Sequence, residues 1–402
     1  MIVQQFLEWS RTAPAARRAD GVSALARAYL YTDMVPDDRH MAEVALTAQL
    51  DDASPLVRRA LAESFASARD APRHIVVALA SDQSEIATLV LSRSPLLDDS
   101  DLIDCAAIGD AFAQAAIALR PRLSAQVAAA LAEVAAREAL ISLVVNPGAD
   151  ILEFSLRRVL ERFGDDGEMR EAIFSRPNLP AALRSELVCA TARALSAFVI
   201  GRDWMSSERA ERVTREAREK AQIIIAATSD DDGPRALTQH LRQAGQLTAG
   251  LVLRALLSGN TSLFHAALCE LSGLPPQRVA GIARDWRGSG FAALYARAGL
   301  PGALLPAFRS ALAAMQEMGA SADAGASARL SRKMIERVLT SCAAIKGSEL
   351  DKVMALLRRF DAEAAREEAR AMTEELRQRV QVAVARISVD TDALEAELME
   401  AA

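Results

Sequence analysis

The chain has 402 residues, 51% of them hydrophobic and 25% charged. That composition excludes a disordered chain and gives length for one large domain or two to three ordinary ones. Alanine supplies 83 residues and aromatics only 4%, which favours helix over strand and excludes an all-β protein, a collagen-like chain and a small disulfide scaffold. The net charge of −6 sits at the C-terminal end: Asp361 to Ala402 carries 11 acidic and 5 basic residues, and the rest of the chain balances. The body therefore has no global excess of positive charge to hold nucleic acid or an anionic membrane.

Cys105, Cys189, Cys269 and Cys342 are scattered singly. With no C-x-x-C pair, neither a zinc site nor a thioredoxin-like motif is expected, and free thiols fit a reducing cytoplasm. The segment Met1 to Trp9 lacks a basic stretch followed by an apolar one, and no window approaches 18 consecutive apolar residues. The expectation is a soluble cytoplasmic protein with no membrane insertion.

In chain order, residues 1–35 read as N-terminal capping helices. Asp51-Asp52-Ala53-Ser54-Pro55 then opens a helix. Asp52 or Ser54 can cap it, Pro55 suits its first turn, and Leu56, Val57, Leu61 and Phe65 fall on one face with Arg58 and Arg59 beside it. From there a punctuation recurs. Pro95, Pro121, Pro147 and Pro177 each follow an apolar stretch and lead into another, at intervals of 26, 26 and 30 residues. Asp82 and Asp110 precede two of them at similar distance. Such a period between helices predicts stacked helical hairpins, each too small to bury its own apolar face.

Asp52-x-x-Pro55-x-Val57-Arg58-x-x-Leu61-Ala62 resembles the second-helix signature of HEAT repeats. Pro72-x-x-Ile75-x-x-x-Leu79-Ala80-x-Asp82, followed by Ile86, Val90 and Pro95, is similar to leucine-rich-variant repeats. The match covers roughly residues 36 to 200 and its regularity decays beyond Pro121. The whole chain also resembles a bacterial domain-of-unknown-function family with HEAT-like repeats, through Gly245-Gln246-Leu247-Thr248, Leu251, Leu253, Gly259, Phe264 and Ala267-Leu268. That resemblance implies an α-helical fold and no reaction.

Ser206 to Ala227 reads as a charged helix with Glu208–Arg212 and Glu211–Arg215 at supporting spacing, followed by the loop Thr228 to Pro234. Residues 235–318 read as about six short helices, with Gly245, Gly259, Gly273 and Gly299 placed to end helices in the left-handed conformation. The small-residue stretch 319–328 reads as a flexible connection. Beyond it lie a helix from about Leu330 to Ile345, a capping box at Ser348-x-x-Asp351 and a long acidic helix. In that helix Ala365, Ala369, Met372, Leu376, Val380, Ala383 and Ile387 form a narrow seam that can meet a partner helix or, by preference, fold back on the body.

The search for chemistry finds little. His40, His74, His240 and His265 make no metal-binding pair; His265 and Cys269 share a face, and a core-facing thiol beside a half-buried ring accounts for them. The pairs Asp51-Asp52, Asp98-Asp99 and Asp165-Asp166 and the run Asp230 to Asp232 read as helix caps. Gly288-Ser289-Gly290 has no preceding strand or following G-K-[ST], so it reads as an interhelical turn and not a phosphate loop. Trp286 beside Arg287 is either a turn anchor or an interface hot spot.

The sequence therefore leads to an all-α protein. An N-terminal α-solenoid of short HEAT-like hairpins spans 36–205, a compact helical region 206–318, a linker 319–328 and a helical acidic tail 329–402. The expected function is a non-catalytic scaffold or adaptor binding another protein, or itself through the tail, with no catalytic residue, cofactor or metal. Candidate partner-binding residues are Trp286, Arg287, Arg58, Arg93 and Arg122. The alternative is a nucleic-acid-binding protein that grips DNA in an arginine-lined groove formed by Arg58, Arg59, Arg73, Arg93, Arg120 and Arg122, with binding that falls steeply as salt rises.

Overall fold

Alanine-rich amphipathic segments broken by proline, glycine and aspartate fold here into helices and nothing else. The structure, a computed structural model, describes the backbone of residues 2–318, 324–343 and 350–400, and the side chains of 5–317, 331–341, 353–378 and 381. Among the described residues there are 22 α-helices and no strand. No described helix is long and apolar enough to cross a membrane. The chain divides into two compact units, Met1–Leu179 with Cys189–Leu195, and Pro180–Val188 with Ser196–Ala402. The boundary expected between residues 205 and 206 thus lies earlier, because Ala181 is buried with Ile225, Leu237 and Leu251 in a core of the second unit.

The first unit contains α1 (Ile2–Ser10), α2 (Ala15–Tyr31), α3 (Pro36–Ala48), α4 (Pro55–Phe65), α5 (Arg73–Ala80), α6 (Ser84–Leu91), α7 (Asp99–Ile108), α8 (Ala111–Ala118), α9 (Ala125–Val134), α10 (Arg137–Val145), α11 (Glu153–Phe163) and α12 (Gly167–Phe174). Helices of eight to ten residues are marginal alone in water, so packing must hold them. They pack in alternation. α2 lies on α4, α4 on α6, α6 on α8, α8 on α10 and α10 on α12, while α7 lies on α9 and α9 on α11. Helix α4 buries Val57, Leu61 and Phe65, but Leu56, expected on that face, is exposed; one residue is about 100° of helical turn, which carries it past the rim.

Polar rungs join the ends of the even-numbered helices. At their C-terminal ends, Arg120 donates to the carbonyls of Leu91 (2.6 Å) and Ser94 (2.7 Å). Asn146 donates to Ala118 (2.7 Å) and Arg120 (2.8 Å), and Arg176 to Val144 (2.8 Å). Each of these donors immediately precedes one of the periodic prolines. The punctuation thus marks a C-terminal cap supplied from the end of a later helix to carbonyls that an isolated helix leaves unbonded. Between the same turns, Leu123 and Gly148 pair backbone to backbone at 3.1 Å. A Cβ on Gly148 would lie 2.0 Å from the Pro121 carbonyl oxygen, so glycine is required there by close approach.

At the N-terminal ends the rungs run to aspartates. Arg18 forks onto Asp52, and Arg58 forks onto Asp82 (2.7 and 3.0 Å). The Ser84 hydroxyl donates to Asp110, the Gln114 carbonyl accepts from the Ala136 N–H at 2.8 Å, and Arg137 forks onto Asp166. Asp110 and Asp166 are also the N-caps of α8 and α12, and Asp98 closes a capping box on α7. Asp52 accepts the Ser54 N–H, whereas Ser54 and Asp232 make no side-chain cap. The Arg137 fork and the cap N–H of Met169 hold the Asp166 carboxyl well below the usual range, at about 2.

Helix α13 (Ala181–Gly201) carries residues of both units. The second unit continues with α14 (Ser207–Ala227), α15 (Gly233–Gln243), α16 (Ala249–Leu257), α17 (Thr261–Ser272), α18 (Pro276–Arg284), α19 (Ser289–Arg297), α20 (Leu305–Met318), α21 (Ala324–Ala343) and α22 (Leu350–Glu400). Gly245, Gly259, Gly273 and Gly299 all have positive φ (66°, 73°, 69° and 69°), the left-handed turn that glycine adopts without penalty. Phe264, Phe291, Tyr295 and Phe308 centre the core, with the Tyr295 and Phe308 ring centroids 5.3 Å apart, edge to face. Of the expected linker, 319–323 lie outside the described residues and 324–328 belong to α21. The capping-box Ser348 also lies outside them.

Helix α22 packs on this core through Val353, Leu357, Phe360 and Ala364. Of the seam expected to fold back, Ala365 is half-buried, Ala369, Met372 and Leu376 are exposed, and the side chains of Val380, Ala383 and Ile387 lie outside the described residues. The large apolar residues of the packed stripe end at Phe360, and alanines beyond it offer little area to bury.

Gly148→Ala is expected to lower stability by about 2 kcal/mol, because a methyl group would be driven into the Pro121 carbonyl. Gly281→Ala in α18, where a Cβ meets nothing within 4 Å, is expected to be neutral or stabilising by up to about 1 kcal/mol. Urea unfolding midpoints of the two variants check both values.

Candidate functional site

The arginines that could line a nucleic-acid groove divide into two groups. Arg58 is held by Asp82 and by the Asp52 carbonyl, Arg73 by Asp98 and Asp101, and Arg120 by two carbonyls. Arg59 pairs with Glu63 on its own helix. Burial pushes the Arg120 guanidinium below its ordinary value, as desolvation of a cation does. Arg93 and Arg122 remain exposed. The fold thus commits Arg58, Arg73 and Arg120, half of the group, to neighbouring helices and their turns, and a buried, hydrogen-bonded arginine such as Arg120 offers little to a phosphate.

Trp286 is half-buried against the aromatic core of the second unit. Its Nε1–H donates to Gln316 Oε1 at 3.1 Å, and Arg287 lies over its ring at 4.8 Å. This is the turn-anchor arrangement. Gly288 is the N-cap position of α19, which agrees with an interhelical turn at Gly288-Ser289-Gly290. His265 and Cys269 are both held partly out of water, so the imidazole is pushed down and the thiol up. Among the described residues no three His, Cys, Asp or Glu side chains gather as a metal site.

What the sequence reading missed is apolar and exposed. Leu119, Val145 and Phe174 stand at the C-terminal ends of α8, α10 and α12, at 62%, 60% and 66% exposure. Because Asn146 bonds to carbonyls at the end of α8 and Arg176 to carbonyls at the end of α10, these three ends lie side by side. Leu152 and Phe154, which open α11, are exposed as well. Monomeric proteins rarely leave such a row uncovered. The signal was present in the sequence: each residue stands one or two positions before a rung donor. In the second unit, Trp204 is 68% exposed, packs edge to face on Phe198 at 5.6 Å and follows Asp203, whose φ is +56°. A tryptophan in a polar loop after Gly201 marks that place.

The second unit also holds a cleft of about 610 Å³. Arg254 lines it, with Nη1 donating to Glu363 at 2.5 Å and Nε 3.4 Å from Glu219, over the Phe360 ring at 4.1 Å. Burial pushes the Glu219 carboxyl up. Lys220–Glu367 and Arg359–Glu216 pair beside it. These contacts clamp α22 to α14 and α16. The cation is neutralised by carboxylates of its own chain.

Leu119→Ser, Val145→Ser and Phe174→Ser are each expected to change stability by less than about 0.5 kcal/mol, as for other exposed positions. Trp286→Ala is expected to cost about 2 kcal/mol through lost packing and an unpaired Gln316. Thermal unfolding of the four variants separates the exposed row from the anchor.

No curated protein and no solved structure matches the chain. The family model of uncharacterised proteins conserved in bacteria, DUF2336, matches residues 86–346, more than half of the sequence. The chain belongs to that bacterial family.

Proposed function

We propose that the protein is a non-catalytic cytoplasmic scaffold whose first unit is an α-solenoid of HEAT-like hairpins that binds another protein. The observation that carries this reading is the row Leu119, Val145 and Phe174, repeated at equivalent helix ends and uncovered. Alternation of helix packing along the first unit supports the solenoid, since stacked hairpins bury a continuous core and leave edges free for partners. The exposed Met372 and Leu376 on α22 give a second, smaller surface for another protein or a second copy of the chain. The groove reading for nucleic acid loses its support where Arg58, Arg73 and Arg120 are engaged within the unit.

The test is capture from nuclease-treated native lysate, comparing the wild-type chain with the triple variant Leu119→Ser/Val145→Ser/Phe174→Ser. The expected result is a partner retained by the wild type and lost at least about tenfold by the triple variant, since removing a few anchors of this size costs well over one tenfold step. The same proteins retained equally by the triple variant would contradict the assignment of this edge. Binding of DNA that weakens steeply with salt, with no protein partner, would replace the reading by the nucleic-acid one.

A further inference from the structure

We propose that a second, smaller cleft in the second unit is an oxyanion site that takes inorganic phosphate or the phosphoryl group of a small phosphomonoester. The inference is independent of the protein-binding reading. Helix α14 presents Arg215, Arg218, Glu219 and Gln222 along one side of a cleft of about 170 Å³, and Gln246 and Thr248 close the other side. Steps of three and four residues put these α14 side chains on one face. Thr248 is the N-cap of α16 and accepts the Leu251 N–H at 3.1 Å, so the positive end of that helix dipole lies at the cleft.

Two features point to an occupant. Gln222 is 2% exposed, and neither its Oε1 nor its Nε2 has a hydrogen-bond partner. A buried amide left unpaired is costly, and native proteins rarely keep one without a ligand or water to bond it. Arg215 and Arg218 make no hydrogen bond or ion pair among the described residues, whereas their neighbours Arg212 and Lys220 pair with Glu208 and Glu367. Two guanidinium forks without a hydrogen-bond partner, with Arg215 in electrostatic reach of Glu219, and one amide donor suit a tetrahedral oxyanion. The volume is below that of clefts for drug-sized ligands and fits a single such group with a few waters.

Glu219 sets the choice of anion. Its carboxylate lies 3.4 Å from Arg254 and lines the same cleft. It can accept a hydrogen bond from a protonated phosphate oxygen. Sulfate, which carries no proton near neutral pH, meets only repulsion there. The site therefore favours phosphate over sulfate.

The test is isothermal titration of the full chain with sodium phosphate and with sodium sulfate at pH 7 and low ionic strength. Expected are one phosphate per chain and sulfate at least about tenfold weaker, the scale of one charged hydrogen bond exchanged for a repulsion. Arg215→Ala and Arg218→Ala should each weaken phosphate about tenfold or more, and Glu219→Gln should bring sulfate close to phosphate. Arg209→Ala, on the same helix but outside the cleft, should leave both unchanged. Arg215 and Arg218 lie outside the core, so their variants keep the fold, which circular dichroism verifies. No phosphate binding, equal binding of the two anions by the wild type, or equal loss in Arg209→Ala and Arg218→Ala would overturn the proposal.

Discussion

The first unit depends on forked and paired hydrogen bonds that carry the end of one helix to the end of the next but one. A helix of eight residues leaves four N–H and four carbonyl groups unbonded, as many as it bonds internally, so short helices are viable only where something outside supplies partners. Here the neighbouring repeat does so. Arg120, Asn146 and Arg176 serve the carbonyl ends, and Asp52, Asp82, Asp110 and Asp166 receive donors at the amide ends. Alanine-rich faces then approach closely, and the core between the rows is built from Leu61, Leu79, Val90, Ile117, Leu131, Leu143 and Ile173.

This arrangement decides which side chains remain for function. The charge of Arg58 and Arg120 is committed to the rungs, and apolar residues face outward beside the rung turns. Leu119 precedes Arg120 and Val145 precedes Asn146; each donor turns in and its neighbour turns out. The exposed apolar row Leu119, Val145 and Phe174 is thus a geometric by-product of the caps. The second unit works differently: its aromatic core is conventional, and its unusual feature is polar, with α14 carrying both the clamp to Arg254 and the unpaired Arg215, Arg218 and Gln222.

The helical class was legible because alanine content, 3.6-residue periodicity and glycine stops all agreed; Gly245, Gly259, Gly273 and Gly299 end helices where their spacing says they should. The proline period was legible as punctuation between helices, but its cause was not. Whether Arg120 reaches a phosphate or a carbonyl depends on residues 26 to 29 positions earlier, and pattern alone does not give that distance. Leu119, Val145 and Phe174 are exposed at helix ends, and periodicity alone did not single them out, because apolar residues at helix ends look alike in sequence whether they face in or out. In the tail seam Ala369, Met372 and Leu376 are exposed: the spacing is helical, but alanines offer little area to bury. Trp286 drew attention as a tryptophan beside arginine and is half-buried with its Nε1–H on Gln316, while Trp204, in a plainer context, is more exposed.

The most direct test of the rung account is the unfolding free energy of five single variants measured side by side. Arg58→Ala, Arg120→Ala and Arg176→Ala should each lose about 1–3 kcal/mol, since each strands buried acceptors at a helix end. Arg93→Ala and Arg122→Ala, exposed in the same unit, should stay within about 0.5 kcal/mol of wild type. Equal, small effects across all five would contradict the claim that these arginines hold the first unit together, and would return them to the surface as candidates for binding.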